Sequence, residues 1–302
     1  MKLNLINHAC IQFQYFDINI ITDPWFFGKV FNGTWQLLSE TFPNLERNIT
    51  HILISHEHPD HLSFSTIRML KNEGFLSEDC TVLFPQRREP SVRDGVRKLA
   101  GVNCDYAIRN KPIPLGNDFI IGFYGERPDG DHSIVLKCED KFILHQNDHY
   151  TSEPTSKLII KEFGEPLILL TQFSLAGYYG NRRSPKTIYS KGTLRHLERF
   201  KRYCKIFNPT RVVPFASLVW FCDEWNYYLN AHVVKPQLLE SYAARYSLPV
   251  LFASPGDQIP LSEEGLIHYD CSTPFRRLCA LFDAIPSCGY SSDKVAHSSL
   301  ID

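Results

Sequence analysis

The sequence predicts an α/β protein built on mixed β-sheets, and three patterns carry this prediction. Short runs of alternating apolar and polar residues at 3–6, 10–15 and 18–22 are typical of antiparallel strands. Residues 50–55 form a mostly apolar run, as in a strand buried on both faces. A segment with helical spacing and a glycine stop follows at 63–74. These patterns fit a four-layered αβ/βα sandwich and fit other mixed α/β sheets equally well.

The later elements are predicted from the same two patterns, namely alternating apolar residues for strands and helical spacing of apolar residues for helices. An exposed basic helix is predicted between Arg87 and Lys98. No repeat, linker or shift in composition marks a second domain, so we expect one domain over 1–283 and a loose polar tail over 284–302. Further strands are predicted at 81–85, 119–124, 133–138, 141–144, 167–170 and 211–215, and further helices at 186–206 and 235–246.

The composition restricts the class of partner. Lys and Arg (32) balance Asp and Glu (33) in the 302 residues, so the chain has no global charge for nucleic acid or anionic membrane. No stretch reaches the roughly 20 apolar residues of a membrane span, and the first residues are too polar for a secretory signal. Nine scattered cysteines without a Cys-x-x-Cys pair predict reduced thiols. We therefore expect a cytoplasmic protein that acts on a small molecule.

The most specific pattern is His56-Glu-His58-Pro-Asp60-His61, directly after the predicted strand 50–55. Imidazole and carboxylate together prefer zinc, iron or manganese, so the segment predicts a catalytic site for one or two divalent ions. A polar loop that is merely rich in histidine is the weaker alternative.

The His-x-His-x-Asp-His spacing resembles the signature of the metallo-β-lactamase-fold superfamily. Segments 26–35, 145–148, 213–217 and 226–230 resemble, in the same order, the catalytic region of CMP-N-acetylneuraminate monooxygenases and their bacterial relatives. The resemblance runs from residue 1 to about residue 258. It implies the four-layered αβ/βα sandwich, which periodicity alone leaves open.

The resemblance also implies which residues hold the ions. His56 and His58 would bind in site one, Asp60 and His61 in site two, and Asp148 would bridge the two sites.

Two further ligands follow less directly. His132 is the candidate third ligand of site one, with Asp131 as the alternative. Asp223 stands where a histidine of site two is expected, and its extra negative charge would favour a harder or redox-active ion.

Other residues are predicted to surround the ligands. Asp23, held by a proline after a strand, could orient an imidazole ligand or could simply form a turn. His8 and Asn147 are predicted beside the ligands as well. Substrate contacts are predicted for His149, Arg182 and Arg183, with a solvated basic turn as the alternative for the two arginines.

Three functions follow, in order of preference. The first is hydrolysis of a small anionic substrate, such as a phosphoester or nucleotide sugar, by metal-activated water, with Asp60 as ligand and proton acceptor. The second is an iron-dependent oxygenase that takes electrons from an external redox partner, because the chain lacks the Cys/His pairs of a Rieske domain. The third, a metal-binding protein without activity, is disfavoured by the complete cluster.

Overall fold

Two mixed β-sheets form the centre of the computed structural model, which describes residues 1–42, 44–87, 91–175, 177 and 181–286. In the first sheet, antiparallel strands β1 to β3 continue into a parallel set, with the order β15-β1-β2-β3-β5-β6-β7. Its strands are β1 (Lys2–Asn7), β2 (Cys10–Tyr15), β3 (Ile18–Thr22), β5 (Ile49–Leu53), β6 (Leu76–Pro85), β7 (Asn103–Ala107) and β15 (Gln258–Ile259).

The second sheet has the order β13-β12-β11-β10-β9-β8 and is likewise part parallel and part antiparallel. A separate two-stranded ribbon pairs β4 (Trp35–Leu37) with β14 (Val219–Phe221). The strands of the second sheet are β8 (Ile113–Gly116), β9 (Phe119–Tyr124), β10 (Ser133–Cys138), β11 (Lys141–Asn147), β12 (Ile168–Gln172) and β13 (Arg211–Phe215).

Seven α-helices and a 3-10 helix (Tyr227–His232) are described. Helix α1 begins directly after the histidine-rich segment, where the Ser63 hydroxyl accepts a hydrogen bond from the Thr66 N–H and so caps the first turn. The α-helices are α1 (Phe64–Asn72), α2 (Ser91–Ala100), α3 (Glu153–Phe163), α4 (Lys186–Phe207), α5 (Pro236–Tyr246), α6 (Glu263–Ile267) and α7 (Ser272–Asp283).

Three buried apolar clusters define four layers. One cluster lies between the sheets and joins side chains such as Phe13 of β2 and Phe119 of β9, whose rings stack 5.3 Å apart. A second packs α1 and α2 on the outer face of the first sheet, and a third packs α4, α5 and α7 on the outer face of the second. The αβ/βα sandwich predicted from the sequence is thereby confirmed.

Most predicted elements lie within a few residues of the observed ones. The basic helix expected from Arg87 occurs as Ser91–Ala100, and 88–90 lie outside the described residues. The tail predicted over 284–302 is described only to residue 286. No helix in the described part of the chain is long and apolar enough to cross a bilayer.

Candidate metal centre

The histidine-rich segment lies at the carboxyl end of β5 and brings its first two imidazoles together. His56 Nε2 lies 2.8 Å from His58 Nδ1 and 3.8 Å from an oxygen of Asp131. Donor atoms that share one ion at about 2.1 Å lie about 3.0 to 3.4 Å apart. The two separations fall just below and just above this range, so small side-chain shifts would bring the three atoms into one coordination sphere.

A second group of donor atoms adjoins the first. His61 Nε2 lies 3.5 Å from Asp60 Oδ2 and 3.4 Å from Asp148 Oδ1, and the same Asp148 oxygen lies 3.8 Å from His56 Nε2. Asp148 therefore faces both groups, as a bridging carboxylate would. It stands directly after β11, so the second sheet contributes this oxygen while the first sheet contributes the imidazoles.

The structure places Asp131, and not His132, beside His56 and His58. His132 is buried with its ring against Gly125, where an added Cβ would come within 2.6 Å of the ring. Burial, together with His149 and Arg109, lowers the pKa of His132 to about 3. Of the two alternatives that the sequence left open at this position, Asp131 is the one brought to the cluster.

Unpaired buried polar atoms show that these residues fit a cation. Asp60 Oδ1, His61 Nε2 and Asp148 Oδ1 are buried without a hydrogen-bond partner among the described residues. Burying a carboxylate without a partner is costly. A divalent cation between these atoms would offset that cost, so the His/Asp clusters have the donors and the spacing of a two-metal site.

Asp23 orients ligands of both groups. Its carboxylate accepts hydrogen bonds from the Ser55 N–H at 2.7 Å and the Ser55 hydroxyl at 2.6 Å, and its Oδ2 lies 2.9 Å from His61 Nδ1. The Ser55 hydroxyl also lies 2.9 Å from His56 Nδ1. The outer nitrogens of both imidazoles are thus engaged, which leaves their Nε2 atoms for the cluster.

The carboxylates determine the protonation state of His61. Burial disfavours its charged form, but the negative charges of Asp148, Asp60 and Asp23 outweigh burial and raise the pKa of His61 to about 10. Burial likewise opposes the charged form of Asp60, and the nearby imidazoles of His61 and His8 keep the pKa of that carboxyl well below its usual range.

The turn around Asp148 is stabilised by Asn147. Asn147 Nδ2 donates to the His132 carbonyl at 2.9 Å, and its Oδ1 accepts from the His149 N–H at 3.0 Å. His149 is buried, with one ring nitrogen 2.7 Å from Glu126 and the other 2.9 Å from Ser133. His149 is therefore held in a hydrogen-bonded network with Glu126 and Ser133.

His8 contacts the centre from the first sheet. Its carbonyl accepts from the Ala216 N–H at 2.9 Å and its Nδ1 from the Leu218 N–H at 3.1 Å. The opposite nitrogen, Nε2, is buried 3.5 Å from Asp60 Oδ2. Asp60 therefore lies between His8 and His61.

Three non-glycine residues beside the centre adopt left-handed backbone conformations. They are Asp23 at φ 37°, Asn147 at φ 48° and Ala216 at φ 46°, and they end or directly follow β3, β11 and β13 respectively. Such conformations are strained for residues with a Cβ, and strain of this kind concentrates at functional sites.

Three predicted site residues lie elsewhere. Asp223 belongs to none of the His/Asp clusters of the described residues, and its side chain accepts from the Trp225 N–H in a turn. Arg182 and Arg183 are exposed and do not line the cavity above the cluster. The sequence reasoning missed Ser55, although its position directly before His56 was a signal.

No protein-family model matches the chain. Two related sequences are the cytidine monophosphate-N-acetylneuraminic acid hydroxylases of Asterias rubens, 36% identical over 156 residues, and of Cricetulus griseus, 37% identical over 155. Each match covers 49% of this chain but 23% and 27% of those proteins. The matched half of this chain thus spans about a quarter of the length of these relatives.

Solved structures share the fold at low sequence identity. CmlA, a diiron β-hydroxylase from Streptomyces venezuelae, has a TM-score of 0.58 at 15% identity and covers 82% of this chain and 52% of its own. A possible metal-dependent hydrolase from Veillonella parvula has a TM-score of 0.62 at 12% identity. The match covers 86% of this chain and 99% of the hydrolase. A metallo-β-lactamase-fold protein from Bacillus subtilis has a TM-score of 0.54 at 13% identity, with 85% and 97% covered. This chain is therefore a metallo-β-lactamase-fold protein, half of which is related in sequence to CMP-N-acetylneuraminic acid hydroxylase.

Proposed function

We propose that this chain is the catalytic unit of an iron-dependent hydroxylase that uses dioxygen on a small molecule. The observation that carries the proposal is the group His56, His58 and Asp131, which combines two imidazoles with one carboxylate. Non-haem iron oxygenases use this donor set and leave the other positions open for oxygen and substrate. Asp60 and Asp148 add two more carboxylates, so the whole centre has as many acidic ligands as histidines.

The sequence relatives support oxygen chemistry over hydrolysis. Both are hydroxylases by name, and each is at least 36% identical to this chain over the matched residues. The fold itself does not distinguish hydroxylation from hydrolysis, because it occurs in a diiron hydroxylase and in a possible hydrolase.

Each side chain has a defined task in this proposal. His56, His58 and Asp131 would hold one ion, Asp60 and His61 the other, and Asp148 both. When bound, iron supplies the redox chemistry that activates dioxygen. Asp60 keeps the task of metal ligand that was expected from the sequence, whereas its task as proton acceptor belongs to the hydrolase.

The proposed reaction requires an electron donor. Hydroxylation of a C–H bond consumes one dioxygen, two electrons and two protons, and it releases one water. The chain has no Cys-x-x-Cys pair to suggest a cluster of its own, so the electrons would come from an external redox partner.

The test combines metal content with oxygen uptake. Protein expressed with both iron and zinc supplied should contain about two irons per chain. After anaerobic reduction it should consume dioxygen when mixed with air-saturated buffer. Asp131→His should shift the metal content towards zinc and lower oxygen uptake at least about tenfold, because a third imidazole replaces the carboxylate.

The hydrolase is the second candidate, and the His-x-His-x-Asp-His spacing itself favours it, because zinc with such ligands activates water. Zinc-filled protein that turns over a phosphoester or lactone without oxygen and reductant would establish the hydrolase and refute the hydroxylase.

A further inference from the structure

A cavity of about 610 Å³ opens directly above the centre. His58, Asp60 and Asp148 form its floor, so a molecule in the cavity meets the proposed ions. The walls above the floor are formed mainly by large apolar side chains, namely Phe31, Trp35, Phe221, Trp225, Tyr228 and Leu229.

The aromatic rings form one continuous wall. Phe31 and Trp35 lie 4.7 Å apart between ring centroids, and Trp35 meets Phe221 edge to face at 5.2 Å. Phe31 also contacts the His58 ring at 6.1 Å. The β4–β14 ribbon supplies Trp35 and Phe221, which are both buried and therefore well fixed. The wall thus leads from the opening of the cavity to the ligands.

Polar groups of the wall are engaged in holding the backbone. The Thr34 hydroxyl donates to the Phe31 carbonyl at 2.8 Å. Asn226 Nδ2 donates to the Thr34 carbonyl at 3.0 Å, and its Oδ1 accepts from the Asp223 N–H at 3.1 Å. Asn181 Oδ1 accepts from the Arg183 N–H at 2.9 Å. These bonds hold the backbone of the wall and occupy the Thr34 hydroxyl and the oxygens of Asn226 and Asn181.

The lining also lacks a positive side chain. No Lys or Arg is among the described residues that line the cavity, whereas two of its floor residues are carboxylates. A phosphate or carboxylate in the walls would lose its hydration without gaining a cationic partner, and that loss is costly.

We propose that the part of the substrate that lies against this wall is uncharged and apolar or aromatic, and that it packs among these rings. The proposal rests on the proposed metal centre for the position of the reacting atoms. It departs from the anionic nucleotide sugar expected from the sequence, because the described wall residues offer a phosphate no cationic side chain and only the proposed ions at the floor could hold one. The wall selects by shape and apolar contact, as aromatic-lined ligand pockets do.

The test is equilibrium binding to zinc-loaded protein without oxygen, measured by saturation-transfer NMR. Saturating inorganic phosphate is present throughout, so that the ions are already occupied and CMP binding reports on the walls. The probes are 2-phenylethanol, which is neutral and aromatic, and CMP, which carries the phosphate. We expect saturable binding of 2-phenylethanol, with at least tenfold weaker binding of CMP.

The variants address the wall directly. Trp225→Ala should weaken 2-phenylethanol binding about three- to tenfold, because one aromatic contact is lost. Trp225 is 80% exposed, so its removal leaves the core intact, and Phe16→Ala is the matched control because Phe16 is 81% exposed in a distant turn.

Three results would overturn this inference: CMP binding more tightly than 2-phenylethanol, equal losses in Trp225→Ala and Phe16→Ala, or no saturable binding of 2-phenylethanol to folded protein. None of them depends on turnover. Absence of iron or of oxygen uptake would refute the hydroxylase proposal and leave the binding result standing.

Discussion

The hydrogen bonds of His8 show whether this residue acts as a metal ligand or supports the neighbouring ligand Asp60. Its Nδ1 accepts from the Leu218 N–H, so in the neutral ring the proton must lie on Nε2. A nitrogen that carries a proton cannot ligate a metal. His8 Nε2 lies 3.5 Å from Asp60 Oδ2 and makes no hydrogen bond with the described residues, and in this tautomer it presents a proton, and not a free lone pair, to Asp60.

We therefore predict that His8→Gln keeps its full metal content and loses about ten- to hundredfold in turnover, because the support of a ligand is weakened. Elemental analysis and steady-state rates measure the two effects separately. His51→Gln, at a half-buried histidine on β5, is the control. Loss of one ion per chain in His8→Gln would make His8 a ligand instead.

A second prediction concerns the proton on His61. Its pKa is raised to about 10, so metal-free protein at about pH 8 carries this proton and must release it when an ion binds. Because folding raises the pKa of His61, protonation of its ring stabilises the metal-free fold. This stabilisation is complete below about pH 6.5 and is lost as the pH rises through 10.

Calorimetry measures this release. The heat of zinc binding at about pH 8 should depend on the ionisation heat of the buffer, with a slope that corresponds to about one proton per chain. Zinc affinity should also fall as the pH is lowered. A heat that is the same in phosphate-free buffers of high and low ionisation enthalpy would contradict the prediction.

At the scale of elements, the parallel pairing of β3 with β5 is what positions the ligands. Thr22 pairs with Leu53, so the residues that follow the two strands, Asp23 and Ser55, come together. Asp23→Asn replaces one oxygen by a donor and breaks the contact with either Ser55 or His61.

Metal affinity of Asp23→Asn should fall about ten- to hundredfold with the fold retained. Competition with a chromophoric chelator measures the affinity, and circular dichroism monitors the fold. Asp140→Asn, in the exposed turn between β10 and β11, should bind metal normally. Equal affinity in the two variants would show that Asp23 does not support the ligands.

Local patterns predicted the elements well, and pairings between distant segments were missed. Strands β2 and β3 were predicted with the observed bounds because their alternation is contained in the sequence itself. The three-residue strands β4 and β14 are too short to show an alternating pattern, and each is stabilised by its pairing with the other. That ribbon supplies Trp35 and Phe221 of the cavity wall, so this part of the wall was not predicted.

The same limit applies to the ligands. Those within the motif could be named, whereas Asp131 and His132 are neighbours in the loop directly before β10. The backbone path of that loop decides which of the two side chains reaches the cluster, and no local pattern predicts it. Asp223 was selected by its order in the sequence, but the turn that it stabilises directs it elsewhere.

At the scale of the whole molecule, the centre joins the two sheets. His56, His58, Asp60 and His61 follow a strand of the first sheet, whereas Asp131 and Asp148 belong to loops of the second. A bound ion would therefore act as a cross-link through the sandwich. This agrees with our proposal that residues 1–283 form one domain.

Removal of metal should accordingly destabilise the entire domain. An ion present at a hundred times its dissociation constant stabilises a fold by about 2.7 kcal/mol. Chelation should therefore lower Tm by about 5 °C in a single transition, measured by scanning calorimetry. Addition of zinc or iron should restore it and magnesium should not. A metal-independent Tm would show that the ligands do not bind across the sheets.

The left-handed residues at Asp23, Asn147 and Ala216 have an evolutionary consequence. Glycine would relieve the backbone strain at all three positions, so a lineage no longer selected for its metal chemistry could accept glycine there without added strain. At Asp23 and Asn147 the same change deletes a side chain that supports a ligand. Such a lineage would keep its fold while it lost its metal-dependent activity. Restoring these two side chains would be the first step in recovering that activity in a descendant.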